Sequence, residues 1–132
     1  MTSRKLVQQG LIGALGFVLY AGAQAAVAQT YITSIGDELA LLFCSQVRYN
    51  NTSQFRNTLR EYRLRIRDIY PRVRCNGETM IQFAQRHQAV DMGLFLAASV
   101  PLRELEASDD RTWSEKLPEH NVIRQAIEQR FE

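Results

Sequence analysis

The stretch RVRCNGETMIQFAQRH, residues 72–87, combines a cysteine, a turn and the start of a helix. Asn76-Gly77 predicts a tight turn, because both residue types tolerate the backbone conformation that such turns need. The spacing of the apolar residues after the turn predicts a helix from about Glu78 to His87. The residues expected on its buried face are Met80, Phe83 and Ala84.

Two further helices are predicted upstream of this stretch. The first begins at Ser34, which can act as an N-cap, and ends at Tyr49-Asn50-Asn51. It is apolar on most sides, so we expect it to be the central helix. Its core positions include Leu39, Leu42, Phe43 and Val47.

The second upstream helix is predicted from Thr52 or Ser53 to the residue before Pro71, where proline ends it. Five apolar residues recur at helical spacing along one narrow seam. They are Phe55, Leu59, Tyr62, Ile66 and Ile69. A strand is the alternative for YRLRIRDIY, residues 62–70, because apolar and polar residues alternate there.

Downstream, a fourth helix is predicted from Val90 or Asp91 to about Ser99, and it carries the apolar residues Leu94, Phe95 and Ala98. The stretch EASDDRTWSEKLPEHN, residues 106–121, is polar, so a flexible segment is expected. A terminal helix follows, with Pro118 in its first turn. Its apolar stripe comprises Val122, Ile123, Ala126, Ile127 and Phe131.

Residues 1–28 have the layout of a secretory signal peptide. A basic start precedes an apolar run over residues 11–20, and Ala26-Val27-Ala28 supplies the small residues of a cleavage site. We therefore expect export, with a mature chain that begins at Gln29. An uncleaved membrane anchor is the alternative, because residues 11–28 form an 18-residue segment that nearly spans a bilayer.

The two cysteines, Cys44 and Cys75, form an even set in a chain predicted to enter an oxidising compartment. This combination favours one intramolecular disulfide. Two buried free thiols, or a reactive Cys75 alone, remain alternatives at this stage. No metal site or cofactor is predicted, because neither cysteine has the C-x-x-C or histidine spacing of metal ligands.

Charge is balanced overall but uneven along the chain. Without residues 1–28 there are 14 basic and 14 acidic residues. Residues 48–74 nevertheless hold eight arginines against Glu61 and Asp68, whereas residues 101–132 hold eight acids against five bases. A partner would therefore meet a local charge.

Four arginines define the predicted binding surface, and we call them the arginine group. Their spacing, i, i+4, i+7 and i+11, would gather them on one face of the predicted second helix, and guanidinium groups bind carboxylates as planar forks. The group comprises Arg56, Arg60, Arg63 and Arg67. We expect it to bind an acidic protein, an anionic envelope surface or the acidic C-terminal segment, and not nucleic acid, which exported proteins seldom meet.

The alternative to this binding surface is a solvated face with local pairs, Glu61 with Arg65 and Asp68 with Arg72. A second function class is an enzyme that uses Cys75 as nucleophile and His87 as base, with Asp91 orienting the base. A disulfide would remove the thiolate, and His87 shares a helix face with core residues, so no enzyme activity is predicted.

The Cys-Asn-Gly motif before a helix with a Phe-Ala pair, together with Cys44 upstream and DMGLFLAAS at residues 91–99, resembles domain-of-unknown-function family 3718. The resemblance covers about residues 35–100. It implies a small periplasmic helical domain of Gram-negative bacteria, without an established activity, in which Cys44 is the natural partner of Cys75.

These observations predict an all-α protein. It is a small bundle of about four helices stapled by one disulfide, plus a C-terminal helix after a flexible acidic segment. The predicted organisation is a signal peptide over residues 1–28, a helical domain over 29–100 and an acidic tail with the terminal helix over 101–132. The predicted function is that of a periplasmic binding or interaction module.

Overall fold

Eight helices form the regular structure of residues 36–132, the part of the chain that the computed structural model describes. Residues Leu39–Glu132 make one compact unit. The helices are α1 (36–48), α2 (Thr52–Glu61), α3 (Ile66–Ile69), α4 (Met80–Arg86), α5 (Val90–Ser99), α6 (Leu102–Ala107), α7 (Asp110–Ser114) and α8 (Val122–Arg130). No strand occurs in this range, and the predicted all-α bundle with one disulfide is confirmed.

The predictions for the N-terminal part of the chain fall outside this range. The predicted signal segment, residues 1–28, and the predicted N-cap Ser34 lie outside the described residues. Among the helices that the structure describes, none has the length and apolar character needed to cross a membrane.

Helix α1 lies at the surface of the unit, and the prediction that it is the central helix was wrong. Phe43 and Val47 are buried, but Leu41 is 69% exposed and Leu42 is 42% exposed. The helix therefore buries one narrow side, and the apolar residues on its other side face outward. The ring of Phe43 packs against that of Phe55 on α2, with 5.1 Å between their centroids.

The predicted second helix is two helices, because α2 stops at Glu61. Arg63 has a φ of 54°, and its N–H donates to the carbonyl of Arg60 while the N–H of Leu64 donates to the carbonyl of Leu59. This pair of bonds is the Schellman arrangement that ends helices. The chain is extended at Arg65 before α3 begins.

Four residues separate the end of α2 from the start of α3, and a side chain of α3 itself caps the start of this helix. The side chain of Asp68 accepts a hydrogen bond from the backbone N–H of Arg65 at 3.1 Å. The residues for which a strand was the alternative, 62–70, thus form the turn after α2 and helix α3. Pro71 follows α3, as predicted from its inability to continue a helix.

Helix α5 packs most extensively against α4 and α8. Its start and end agree with the prediction. The buried side chains are those of Met92, Leu96 and Ala97, whereas Ala98 is exposed and Leu94 and Phe95 are half-buried. Because this helix is apolar on almost every side, the sequence pattern could not select its buried face.

Gly93 permits the close approach of α5 and α8. A methyl group at this position would overlap the side chain of Ile123, which is buried. Arg130 reinforces the same contact, since its Nη1 donates to the carbonyl oxygens of Ala97 at 2.6 Å and Val100 at 2.9 Å. The terminal helix therefore belongs to the same compact unit as α5.

The predicted flexible segment, residues 106–121, contains helical structure and belongs to the same compact unit as the preceding helices. Residues 101–117 contain α6 and α7, and α8 begins at Val122, later than Pro118 suggested. Asn121 is its N-cap, with its side chain accepting from the N–H of Arg124 at 3.0 Å. Of the predicted stripe, Ile123 and Ile127 are buried.

A buried carboxylate holds this segment in place. Asp110, at the start of α7, is 0% exposed. Its Oδ1 accepts from the hydroxyl of Thr79 at 2.7 Å and from Nε2 of Gln82 at 3.0 Å. Its Oδ2 accepts from the hydroxyls of Tyr70 and Ser108. Four donors from three parts of the chain therefore converge on one side chain.

Burial raises the pKa of Asp110 above its usual value, although its hydrogen bonds act in the opposite direction. Burial and the neighbouring Asp110 raise the pKa of Tyr70 well above its ordinary value, so Tyr70 stays a neutral donor. Because the folded Asp110 keeps its proton over a pH range in which the unfolded chain has lost it, the contribution of this group to stability declines as the pH rises through that range.

Replacing Asp110 by alanine should destabilise the fold strongly. The buried donors Tyr70 and Thr79 and the partly buried donors Gln82 and Ser108 would lose their acceptor. Each unsatisfied buried group costs about 1–3 kcal/mol, so we expect a loss of about 3 kcal/mol in the free energy of unfolding. Urea unfolding at neutral pH measures this loss. The matched control is Glu106→Ala, which removes an exposed carboxylate on α6 and should cost at most about 1 kcal/mol. Equal losses in the two variants would contradict the role assigned to Asp110.

Candidate functional site

The predicted disulfide is present and joins α1 to the turn that precedes α4. The sulfur atoms of Cys44 and Cys75 are 2.09 Å apart, and their Cα atoms are 5.6 Å apart. Cys75 is buried, whereas Cys44 is partly exposed. Both cysteines of the chain are used in this bond.

The Cys-Asn-Gly motif is a tight turn with the disulfide at its base. The backbones of Cys75 and Glu78 exchange two hydrogen bonds, of 2.9 and 3.0 Å. Between them Asn76 has a φ of 51° and Gly77 a φ of 80°, and positive φ at both central positions is the requirement of a type I′ turn. Thr79 then caps α4, because its hydroxyl accepts from the N–H of Gln82 at 3.2 Å.

All four side chains of the arginine group are exposed, but they do not lie on one helix face. Arg56 and Arg60 are on α2, Arg63 is in the turn that ends it, and Arg67 is on α3. The prediction that the four arginines share one face of a continuous helix was therefore wrong, because the Schellman turn at Arg63 interrupts that helix. The prediction that these arginines bind a partner does not depend on a continuous helix, and it stays a prediction.

The charges of the arginine group are little neutralised by neighbouring acids. The guanidinium of Arg56 lies over the ring of Phe95, 4.5 Å from its centroid, and Arg60 donates to the side-chain oxygen of Asn57. Arg67 lies 4.0 Å from Asp68, and both side chains are at least half exposed. Over residues 36–132 this is the one ion pair of the group.

The alternative of a solvated face with local pairs receives no support from the predicted pairs. Glu61 with Arg65 and Asp68 with Arg72 do not form ion pairs in the described part of the chain. Each pair needed a continuous helix, and α2 ends at Glu61 while α3 ends at Ile69. Likewise, no ion pair joins the arginine group to residues 101–132 within the described range.

A surface cleft beside the disulfide was not predicted, and we call it the disulfide cleft. It has a volume of about 290 Å³ and is open to solvent. One wall is the outer side of α1, and the other is the segment around Cys75. Its polar lining comes from Arg48, Arg74, Ser45 and Asn76, and its apolar lining includes Leu41, Tyr49 and Phe83.

The sequence contained a signal for this cleft. Arg48 follows Cys44 by one helical turn, and Arg74 immediately precedes Cys75. A disulfide between the two cysteines therefore brings the two arginines to the same place, although they are far apart in sequence. Regular helical spacing does not reveal this pairing, because the disulfide that creates it joins two segments that are distant in sequence.

The residues of the predicted enzyme alternative are engaged in separate contacts. Cys75 is oxidised, so it has no thiolate in this structure. His87 stacks against Phe83, with 4.4 Å between ring centroids. Oδ2 of Asp91 accepts from the side-chain amide of Asn50 at 3.3 Å. In residues 36–132 no group of three or more His, Cys, Asp or Glu side chains is placed to hold a metal ion.

Removing the disulfide should destabilise the domain. The sequence separation of Cys44 and Cys75 is 31 residues, and closing a loop of this size contributes about 3.5 kcal/mol in the loop-entropy model. The double variant Cys44→Ala with Cys75→Ala, which leaves no free thiol, should melt at least about 10 °C lower. Thermal unfolding followed by circular dichroism measures the shift.

The control for this variant is Ser45→Ala, which changes an exposed neighbour of Cys44 and should leave the melting temperature within about 2 °C. A double variant that melts as the unaltered protein does would mean that the bond contributes nothing to the fold.

Residues 43–107 match the model of a protein family described as "Protein of unknown function (DUF3718)". No curated protein and no solved structure matches the chain. The matched segment contains both cysteines and the Asn-Gly turn, and it ends with α6. It overlaps most of the range over which the resemblance was expected, and it continues through one more helix. Through this segment the chain is similar to the DUF3718 family of proteins of unknown function.

Proposed function

We propose that the protein is an exported, periplasmic interaction module that binds an acidic partner protein through the arginine group and carries out no catalysis. The observation that carries the proposal is that all four arginines are exposed within a stretch of 12 residues. In the described part of the chain they form one ion pair with an acid, the 4.0 Å pair of Arg67 with Asp68. Exposed charges without local partners are free to meet a charged surface of another molecule.

The physical chemistry of arginine favours an acidic protein as the partner. A guanidinium donates two parallel hydrogen bonds to a carboxylate, and such forked pairs are stronger and more directional than a contact with a point charge. The field of several arginines also accelerates encounter with acidic surfaces over about 10 Å at 0.1 M salt. The turn at Arg63 spreads the charges over two helices, which suits a protein surface better than a single groove.

The proposed compartment is supported by two independent features. Residues 1–28 carry the basic start, apolar run and small-residue triplet of a signal peptide. The Cys44–Cys75 disulfide suits an oxidising environment such as the periplasm. The same disulfide favours a binding module over the enzyme alternative, because the proposed nucleophile is consumed in the bond.

Reversing charge in the arginine group should abolish partner binding and spare the fold. The variant Arg60→Glu with Arg63→Glu should melt within about 3 °C of the unaltered protein, since exposed charges contribute about 0–1 kcal/mol each. Capture of acidic proteins from a periplasmic extract at low salt should fall at least about tenfold, because the like charges now repel. Quantitative mass spectrometry of the captured proteins measures this change.

The matched control is Arg103→Glu with Lys116→Glu, which alters net charge equally at two exposed positions outside the group. It should capture the same proteins as the unaltered chain. If both variants lose the same proteins, the binding follows net charge only and the proposal is wrong. If the unaltered protein binds only vesicles of anionic phospholipid and captures no acidic protein, the partner is the envelope surface and the proposed acidic protein is wrong.

A further inference from the structure

We propose that the disulfide cleft is a second binding site, for a short acidic peptide segment of a partner protein. A carboxylate of the peptide would lie by Arg48 and Arg74, and a neighbouring apolar side chain would contact Leu41 and Tyr49. This site is separate from the arginine group, and the inference does not rest on the function proposed for that group.

The first support is the convergence of two unpaired cations. Arg48 comes from the last turn of α1 and Arg74 from the residue before Cys75, and both line the cleft. Both are exposed, and neither forms an ion pair with any acid between residues 36 and 132. Two guanidinium groups beside one another repel, and a bound carboxylate relieves that repulsion.

The second support is the exposed apolar surface at the rim of the cleft. Leu41 is 69% exposed and Tyr49 is 72% exposed, which are the largest exposures among the bulky apolar side chains of the described residues. Leu41 lies on α1 and Tyr49 immediately follows the end of this helix, and both residues border the cleft. Exposed tyrosine next to arginine is the composition that protein interfaces favour.

The aromatic ring of Tyr49 also helps to position the guanidinium of Arg48. The guanidinium of Arg48 lies 5.7 Å from the centroid of this ring, within the range of a cation–π contact. Arg48 is therefore held near the mouth of the cleft before any ligand arrives. The hydroxyl of Ser45 and the amide of Asn76 supply further hydrogen-bonding groups in the same lining.

The size of the cleft selects a peptide over a cofactor. Its volume of about 290 Å³ is at the lower limit of pockets that enclose small molecules, and it is open. It admits one or two side chains, while the rest of a peptide can lie along Leu41 and Tyr49. The disulfide holds the two walls together, so little entropy is lost by ordering the site on binding.

The probe for this site is the capped tripeptide aspartate-phenylalanine-aspartate, added to ¹⁵N-labelled protein produced from the full sequence. Amide shifts should be confined to residues 41–49 and 74–76. The variant Arg48→Gln with Arg74→Gln should bind at least about tenfold more weakly. The matched control Arg60→Gln with Arg63→Gln should change the affinity by less than about twofold, because salt screens the interaction between the tripeptide and charges outside the cleft.

A further variant, Leu41→Ser, tests the apolar contact at a position so exposed that the fold should tolerate it. It should weaken the tripeptide at least about threefold. The neutral tripeptide asparagine-phenylalanine-asparagine should not bind. Three results would overturn the inference: shifts spread over the whole surface, equal losses in the two arginine pairs, or inorganic phosphate that binds the same amides as tightly as the peptide. Each leaves the capture experiment on the arginine group unaffected.

Discussion

The Cys44–Cys75 bond fixes the outer helix α1 to the turn from which α4 begins. Helix α1 buries only a narrow side, so packing alone attaches it weakly, and a covalent bond to the base of the Asn-Gly turn compensates for the small buried area. The disulfide cleft depends on the same bond, because its two walls come from the two segments that the bond joins. The attachment of α1 and the candidate binding site therefore both depend on the disulfide.

The Asn-Gly turn and the start of α4 also connect the disulfide to helix α7. Thr79 caps α4 with its hydroxyl and donates to the buried carboxylate of Asp110, and Gln82 on the first turn of α4 donates to the same carboxylate. Residues 75–82 thus reach the disulfide on one side and α7 on the other. This double role gives a physical reason for the distinctive Cys-Asn-Gly stretch without any catalytic chemistry.

The sequence was sufficient for features whose causes are local. Asn76-Gly77 predicted its turn, and the apolar spacing predicted the buried face of α4. Two features had no recognisable local signal in the sequence. The helix break at Arg63 lacks the glycine that usually marks such an end. The order of residues 101–117 depends on Asp110, whose four donors come from three segments of the chain. The disulfide cleft required the covalent bond to be combined with the positions of Arg48 and Arg74.

The most direct test of an exported module built around this disulfide is the intact mass of the native protein after thiol alkylation in denaturant without reductant. The predicted result is the mass of residues 29–132 with no alkyl group attached, and two alkyl groups once a reductant is added. One alkyl group before reduction would reveal a free cysteine and favour the enzyme alternative. Two alkyl groups would contradict the bond on which the fold and the cleft depend, and an uncleaved chain would contradict the proposed export.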